Sequence, residues 1–416
     1  MAPELDQLNK RRVERQLRKQ RAVALRRRKK TITTLVAIAL MIMGGVGLFF
    51  VLRAEEEQKK PQEQVTSATT AVSADATVIQ LVAAGDLNVS DAIVNSGGME
   101  YNYTETFLDI AHLLAEGDIT VVNFEGNLAG APYGSSSHSA PQSLMDALSR
   151  SGVDLVQLAN SYSINQGISG LQATIRGVKE AGMEALGVYG DEKAYKAGKG
   201  YVIREVEGIR IAFVAFTKGM DGMTLPQGSE HCVNVLYKDY DSTYQTIDRD
   251  AINRIMDNVN AENPDLTVAM LHWGSEYNDT ISKTQESIVS LLKDRGVDAI
   301  IGTHPHYVQK MSYDPESGFF VAYSLGDLLS DGQRSGTEYS VILKLDIAKE
   351  NGTTKITGYS FTPIFTVAER GSALKSVRIA EAMMAYEANY VLRVNESTYD
   401  AMTYALGRIE ARTTGE

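Results

Sequence analysis

LTVAMLHWG (Leu266–Gly274) and DAIIGTHPH (Asp298–His306) are two apolar runs that each break off into histidine, with TQESIVSLLKD (Thr284–Asp294) between them. The outer runs are short and apolar throughout, so they read as buried strands, while the middle segment spaces Ile288, Leu291 and Leu292 as an amphipathic helix does. Strand, helix, strand implies a parallel pair with its crossover packed on one face. In open sheets of this kind ligands gather beyond the carboxyl ends of the strands, and His272, His304 and His306 fall there. The chain has only 6 histidines. A neutral imidazole offers a lone pair and a strand end fixes its direction, so the placement suits metal coordination. A polar turn is the plain alternative for either segment alone.

The pattern repeats upstream. VIQLVAAGD (Val78–Asp86), ITVVNFEG (Ile119–Gly126) and VDLVQLANS (Val153–Ser161) read as further strands, and Gly170–Ala181 as a helix. Tyr201–Thr217 reads as a hairpin turning at Glu207–Gly208, and Gly318–Val367 as more strands, so a mixed α/β architecture is expected. The strand ends together present Asp86, Asn123, Glu125, Asn160, His272, His304 and His306. Carboxylates, carboxamides and imidazoles in this mixture are what Zn, Mn or Fe accept, and adjacent ions can share a carboxylate. Taken singly, Asp86 and Asn160 also fit turns or helix caps, and His272 beside Trp273 fits a core histidine. His112, His138 and His231 have no strand-end placement and read as surface or packing residues.

Composition narrows the class. Of 416 residues, 44% are hydrophobic, ample for a packed core. Residues 1–30 carry 12 Lys/Arg against 3 Asp/Glu, a balance of +9, so the net −11 leaves −20 on the remainder. An acidic body argues against nucleic acid as a partner. Cys232 is the one cysteine, which rules out an intrachain disulfide. Residues 31–52 are 22 positions without a charge, long enough to span a bilayer. Arg53, Glu55 and Glu56 follow directly, so the run reads as an uncleaved anchor rather than a signal peptide. RRRKK at Arg26–Lys30 keeps the N-terminal side cytoplasmic and the rest outside. The expected order is a basic cytoplasmic segment 1–30, a transmembrane anchor 31–52, a flexible linker 53–77 and an extracytoplasmic domain 78–416.

The segments AAGDLNV, VVNFEGNL, LANSYSINQGISGL, MLHWGSEY, IIGTHPHYVQ and VAYSLGDLL, over about residues 78–405, resemble in order and spacing the CapA family of capsule or poly-gamma-glutamate synthesis proteins. The resemblance implies a four-layer α/β/β/α sandwich similar to the calcineurin-like metallophosphoesterases, holding up to two divalent ions (Mn, Fe or Zn). Carried onto this chain, it makes Glu125 the bridge between one ion on Asp86 and His306 and another on Asn160, His272 and His304. Asn123 and Tyr162 become the candidate catalytic side chains. Three positions depart from the pattern. Asn88 stands where the phosphoesterases carry a ligand histidine, Tyr162 where relatives read Ala-Asn-Asn-His, and Asp327 ends a Ser-Leu-Gly-Asn motif. These departures imply a weakened hydrolase. The partners implied are the membrane, an anionic cell-surface polymer and membrane subunits of a polymer synthase. The rival readings are a metal-dependent phosphoesterase or polymer hydrolase and a non-catalytic, metal-free scaffold. Lys218, Lys283, Lys310 and Arg334 lie near the motif loops and are the cations available to a polyanion.

Overall fold

The computed structural model describes residues 68–69, 72–73, 75–368, 373–388 and 394–415. The basic segment, the apolar run 31–52 and most of the linker lie outside the described residues, and among the described residues no helix is long and apolar enough to cross a membrane.

Two mixed sheets form the body. The first comprises β1 (Ala68–Thr69), β2 (Thr77–Asn88), β3 (Ile119–Glu125), β4 (Leu155–Gln157), β5 (Glu184–Leu186), β12 (Asp327–Leu329), β13 (Tyr339–Glu350), β14 (Thr353–Ala368) and β15 (Leu374–Arg378). The second comprises β6 (Tyr201–Val206), β7 (Ile209–Thr217), β8 (Leu266–His272), β9 (Ala299–Thr303), β10 (Met311–Tyr313) and β11 (Phe320–Ala322). Strands β2 to β5 run parallel, as do β7, β8, β9 and β11, while the hairpins β6–β7 and β13–β14 supply antiparallel pairs. The β6–β7 turn is made by Glu207 and Gly208, both at positive φ (50° and 76°), the geometry that matches strand twist in a tight hairpin.

Period-two alternation sorts the strand residues between cores. Ile79, Leu81 and Ala83 face the second sheet and meet Ile211, Phe213, Val268, Met270 and Ile301. Their neighbours Val82 and Ala84 face the other way, against Leu144 and Leu148 of α3 (Gln142–Arg150) and Leu171 and Val178 of α4 (Gly167–Glu180). On the far side Val214, Ala269 and Ile300 pack with Ile252 and Met256 of α6 (Arg249–Ala261) and Ile288 and Leu292 of α7 (Lys283–Asp294). The layers therefore run helices, sheet, sheet, helices. Burial on both faces is why these strands read as unbroken apolar runs. Two C-terminal helices, α8 (Ile379–Glu387) and α9 (Glu396–Thr414), add Met383, Met402 and Ile409 to the core between the sheets.

Candidate functional site: a buried histidine–carboxylate cluster

The carboxyl ends of the parallel strands in both sheets meet at one place. Asp86 pairs in register with Asn123 on one side and with Asp327 on the other, beside a register shift between Ala83 and Asp86. Such irregularities re-aim a side chain out of the ladder. A close approach of backbones fixes the position. A Cβ on Gly85 would lie 1.7 Å from the Gly326 carbonyl oxygen, the same oxygen that accepts the Asp86 N–H at 2.9 Å. The second sheet answers with His272 at the end of β8 and His304 and His306 just past β9. The His304 N–H donates to Asp86 Oδ2 at 2.9 Å and so ties the two sheets together.

Two groups of donor atoms result: Glu125, His272 and His304, and beside them Asp86, His306 and Asp327. Asn123 sits between them. Its Nδ2 donates to Asp86 Oδ1 at 2.7 Å and to Glu125 Oε1 at 3.2 Å. Asp327 Oδ1 lies 2.8 Å from His306 Nδ1, which leaves Nε2 facing Glu125 Oε2 at 3.9 Å. Buried and without a hydrogen-bond partner are His304 Nδ1 and His306 Nε2. Buried polar atoms are nearly always paired, so two orphaned imidazole nitrogens on residues of the donor groups, one of them 3.9 Å from a Glu125 oxygen, fit a divalent cation.

The electrostatics agree with that fit. Burial raises Asp86 above the usual carboxylate range against the pull of His306, and burial together with Asp86 raises Glu125 well above it. Burial also pushes Asp327 up to about 7, with His306 opposing. Burial disfavours a charged His306, yet Asp327 and Glu125 outweigh it and hold the ring's pKa well above its ordinary value. Burial drives His272 and His304 well below theirs, so both are neutral and available as ligands.

Asn160 and Tyr162 lie beside the two donor groups. The Asn160 Nδ2 donates to the Phe124 carbonyl at 2.7 Å and to Asn123 Oδ1 at 3.1 Å, and its Oδ1 accepts the Tyr162 N–H at 3.0 Å. The carboxamide oxygen keeps a second lone pair, and its nitrogen ties Asn160 to Asn123 at the centre of the cluster. Its neighbour Ser161 also reaches the cluster, with Oγ 3.0 Å and N–H 3.2 Å from His272 Nε2. Tyr162 stacks on His138, rings 3.7 Å apart and 12° from parallel, so that histidine is no isolated surface residue. Burial, then the Glu125 charge, pushes the Tyr162 hydroxyl far above its usual pKa. Asp327 escaped sequence reasoning as a ligand, although a second Gly-Asp after an apolar run was its signal. Lys218 also stands at the cluster, 3.5 Å from His304 Nε2 and bonded to the Gly274 carbonyl at 2.8 Å.

Comparison with known proteins places the chain in a family. The family model described as bacterial capsule synthesis protein PGA_cap matches residues 80–332, and the chain belongs to that family. The capsule biosynthesis protein CapA of Bacillus anthracis is 30% identical over 220 residues, 52% of this chain and 49% of that protein. The PGA biosynthesis protein CapA of Bacillus subtilis (strain 168) is 24% identical over 206 residues, 50% of this chain and 49% of that protein. The matched span is thus about half the length of these curated relatives. Among solved structures, the calcineurin-like phosphoesterase YfkN from Bacillus subtilis gives a TM-score of 0.43 at 15% identity, over 80% of this chain and 98% of that one. A putative 5'-nucleotidase from Staphylococcus aureus gives 0.44 at 12% identity, over 80% of this chain and 58% of that one.

Proposed function

We propose that this chain is a membrane-tethered, extracytoplasmic protein of capsule or poly-gamma-glutamate assembly whose work depends on divalent metal at the buried cluster. The observation that carries the reading is the pair of adjoining donor groups with unpartnered His304 Nδ1 and His306 Nε2. Asp86, His306 and Asp327 would hold one ion and Glu125, His272 and His304 the other, with Mn, Fe or Zn suited to the donors. Such ions supply Lewis acidity, polarising a substrate oxygen and acidifying water toward a pKa of about 7. The protein's own contribution is orientation. Asn123 holds the two carboxylates in register, and the His304 amide holds Asp86.

A metal-dependent phosphoesterase or polymer hydrolase with a weak proton donor is the second reading, favoured by the position of Tyr162 beside the cluster. The residues that carry the membrane tether are 31–52, and the acidic body makes the ions the main positive field for a polyanion. The test is complementation of a strain that lacks the gene. Wild type should restore surface polymer, and His304→Ala should not. Restoration by a His304→Ala protein shown to bind no metal would remove metal from the function.

A further inference from the structure

We propose that Arg334, stacked on Tyr277, forms an oxyanion-binding subsite at the rim of the cluster, taking a phosphoryl or carboxylate group of the substrate; the proposal rests on the metal-dependent reading above. Tyr277 lies over His306 with ring centroids 5.3 Å apart and planes 24° from parallel. On this ring sits the Arg334 guanidinium, 4.9 Å from its centroid. His306, Tyr277 and Arg334 thus make a column from the buried donor set to the surface.

An arginine over an exposed tyrosine is a common surface pairing and by itself a weak one. Two features set this one apart. Tyr277 holds a left-handed backbone (φ 55°), uncommon for a bulky side chain, and its N–H donates to Pro305 in the histidine loop at 2.9 Å. The ring is therefore held against His306 at a conformational cost. Second, Arg334 makes no ion pair among the described residues, whereas Lys218, the other cation at the cluster, is committed to Gly274 and His304. A guanidinium over a ring and without an ion pair has its planar fork of N–H donors available, in the geometry that matches a carboxylate or phosphate. The opposing charge is Glu276, exposed beside Tyr277, whose field reaches Asp86 and Glu125. It should weaken anion binding at the rim.

The test is titration calorimetry of the purified full chain, metal-loaded and metal-free, with inorganic phosphate and separately with glutarate, alongside a metal assay. Arg334→Gln should bind the preferred anion at least about tenfold more weakly with metal content unchanged, the loss expected for one charge-assisted contact. Arg334→Lys should recover only part, because it keeps the charge and loses the fork. Glu276→Gln should bind more tightly than wild type. The anion bound more tightly identifies the substrate group as phosphoryl or carboxylate. Equal affinity in wild type and Arg334→Gln overturns the subsite and leaves the metal reading standing. A wild type that takes up no metal sinks the metal reading instead, and the metal-free titration then judges the subsite alone. Absence of anion binding by wild type in both states overturns the subsite.

Discussion

His304 and His306 hold left-handed backbone conformations, φ 92° and 57°, and Pro305 between them removes a backbone donor. Strain of this kind persists where the surroundings over-determine it. Here the His304 amide is held by Asp86 and the His306 ring by Asp327. His304→Ala should therefore lower bound divalent metal sharply in a metal assay, while His138→Ala, which removes the stack on Tyr162 and a hydrogen bond with the Val89 backbone, should leave it unchanged. Equal metal in both variants would refute the ligand set. Metal uptake should also fall as pH is lowered through about 7. Asp327, pushed up to about 7, and His306, raised above its ordinary value, take up protons that an ion must displace. His272 and His304 stay neutral there and do not compete. Uptake that is flat from pH 8 to 5 would contradict this assignment. Tyr162 yields a third expectation. Its hydroxyl is raised still further above the usual value of about 10, so it donates a proton poorly near neutrality. Tyr162→His should speed hydrolysis of a phosphodiester with a poor leaving group by roughly tenfold or more. A fast wild type whose rate Tyr162→Phe abolishes would make tyrosine the working acid.

At the scale of elements, the two Gly-Asp pairs, Gly85-Asp86 and Gly326-Asp327, let β2 and β12 approach closely enough for their aspartates to share one site. Gly85→Ala would drive a methyl into the Gly326 carbonyl, a contact backbone cannot relieve cheaply. It should destabilise the protein by about 1–3 kcal/mol in urea unfolding, as overpacking does, and cost metal as well. Unchanged stability would mean the strands separate freely. Helix α9 braces the same region from outside. Arg408 and Arg412 both pair with Asp279 at 3.2 Å, and Arg412 lies 4.7 Å from the Tyr307 ring centroid. The elements themselves were legible. Expected strands at Val78–Asp86 and Leu266–Gly274 correspond to β2 and β8, and the expected helix at Thr284–Asp294 to α7. VDLVQLANS yields a strand of only Leu155–Gln157, because Asn160 and Ser163 close a turn in which the Ser163 hydroxyl donates to the Leu158 carbonyl at 2.6 Å.

For the whole molecule, the proposed tethered topology predicts that protease added to intact cells releases the acidic body by cutting within about residues 55–76, where composition lacks an apolar period. Full protection on cells with an accessible surface would argue for an internal location. The charge of −20 on residues 31–416, obtained by taking the +9 of residues 1–30 from the net −11, also predicts that cations at the cluster matter more to a polyanion than the general surface does.

Periodicity and order were properties of the sequence alone. Apolar runs buried on both faces, polar residues at their carboxyl ends and the spacing of the motifs are local, and they determined the mixed α/β class and brought Asp86, Glu125, His272, His304 and His306 to notice. Only tertiary structure decided what each of two neighbours touches. Asn160 and Ser161 are adjacent, yet one bonds the Phe124 carbonyl and Asn123 and the other His272. Asp327 joins the donors through strand pairing with Asp86, while Tyr277 reaches His306 and Arg334 reaches Tyr277 through loops from separate parts of the chain. Such contacts depend on how strands pair and where turns aim their side chains, and neither leaves a local pattern in the residues that make them.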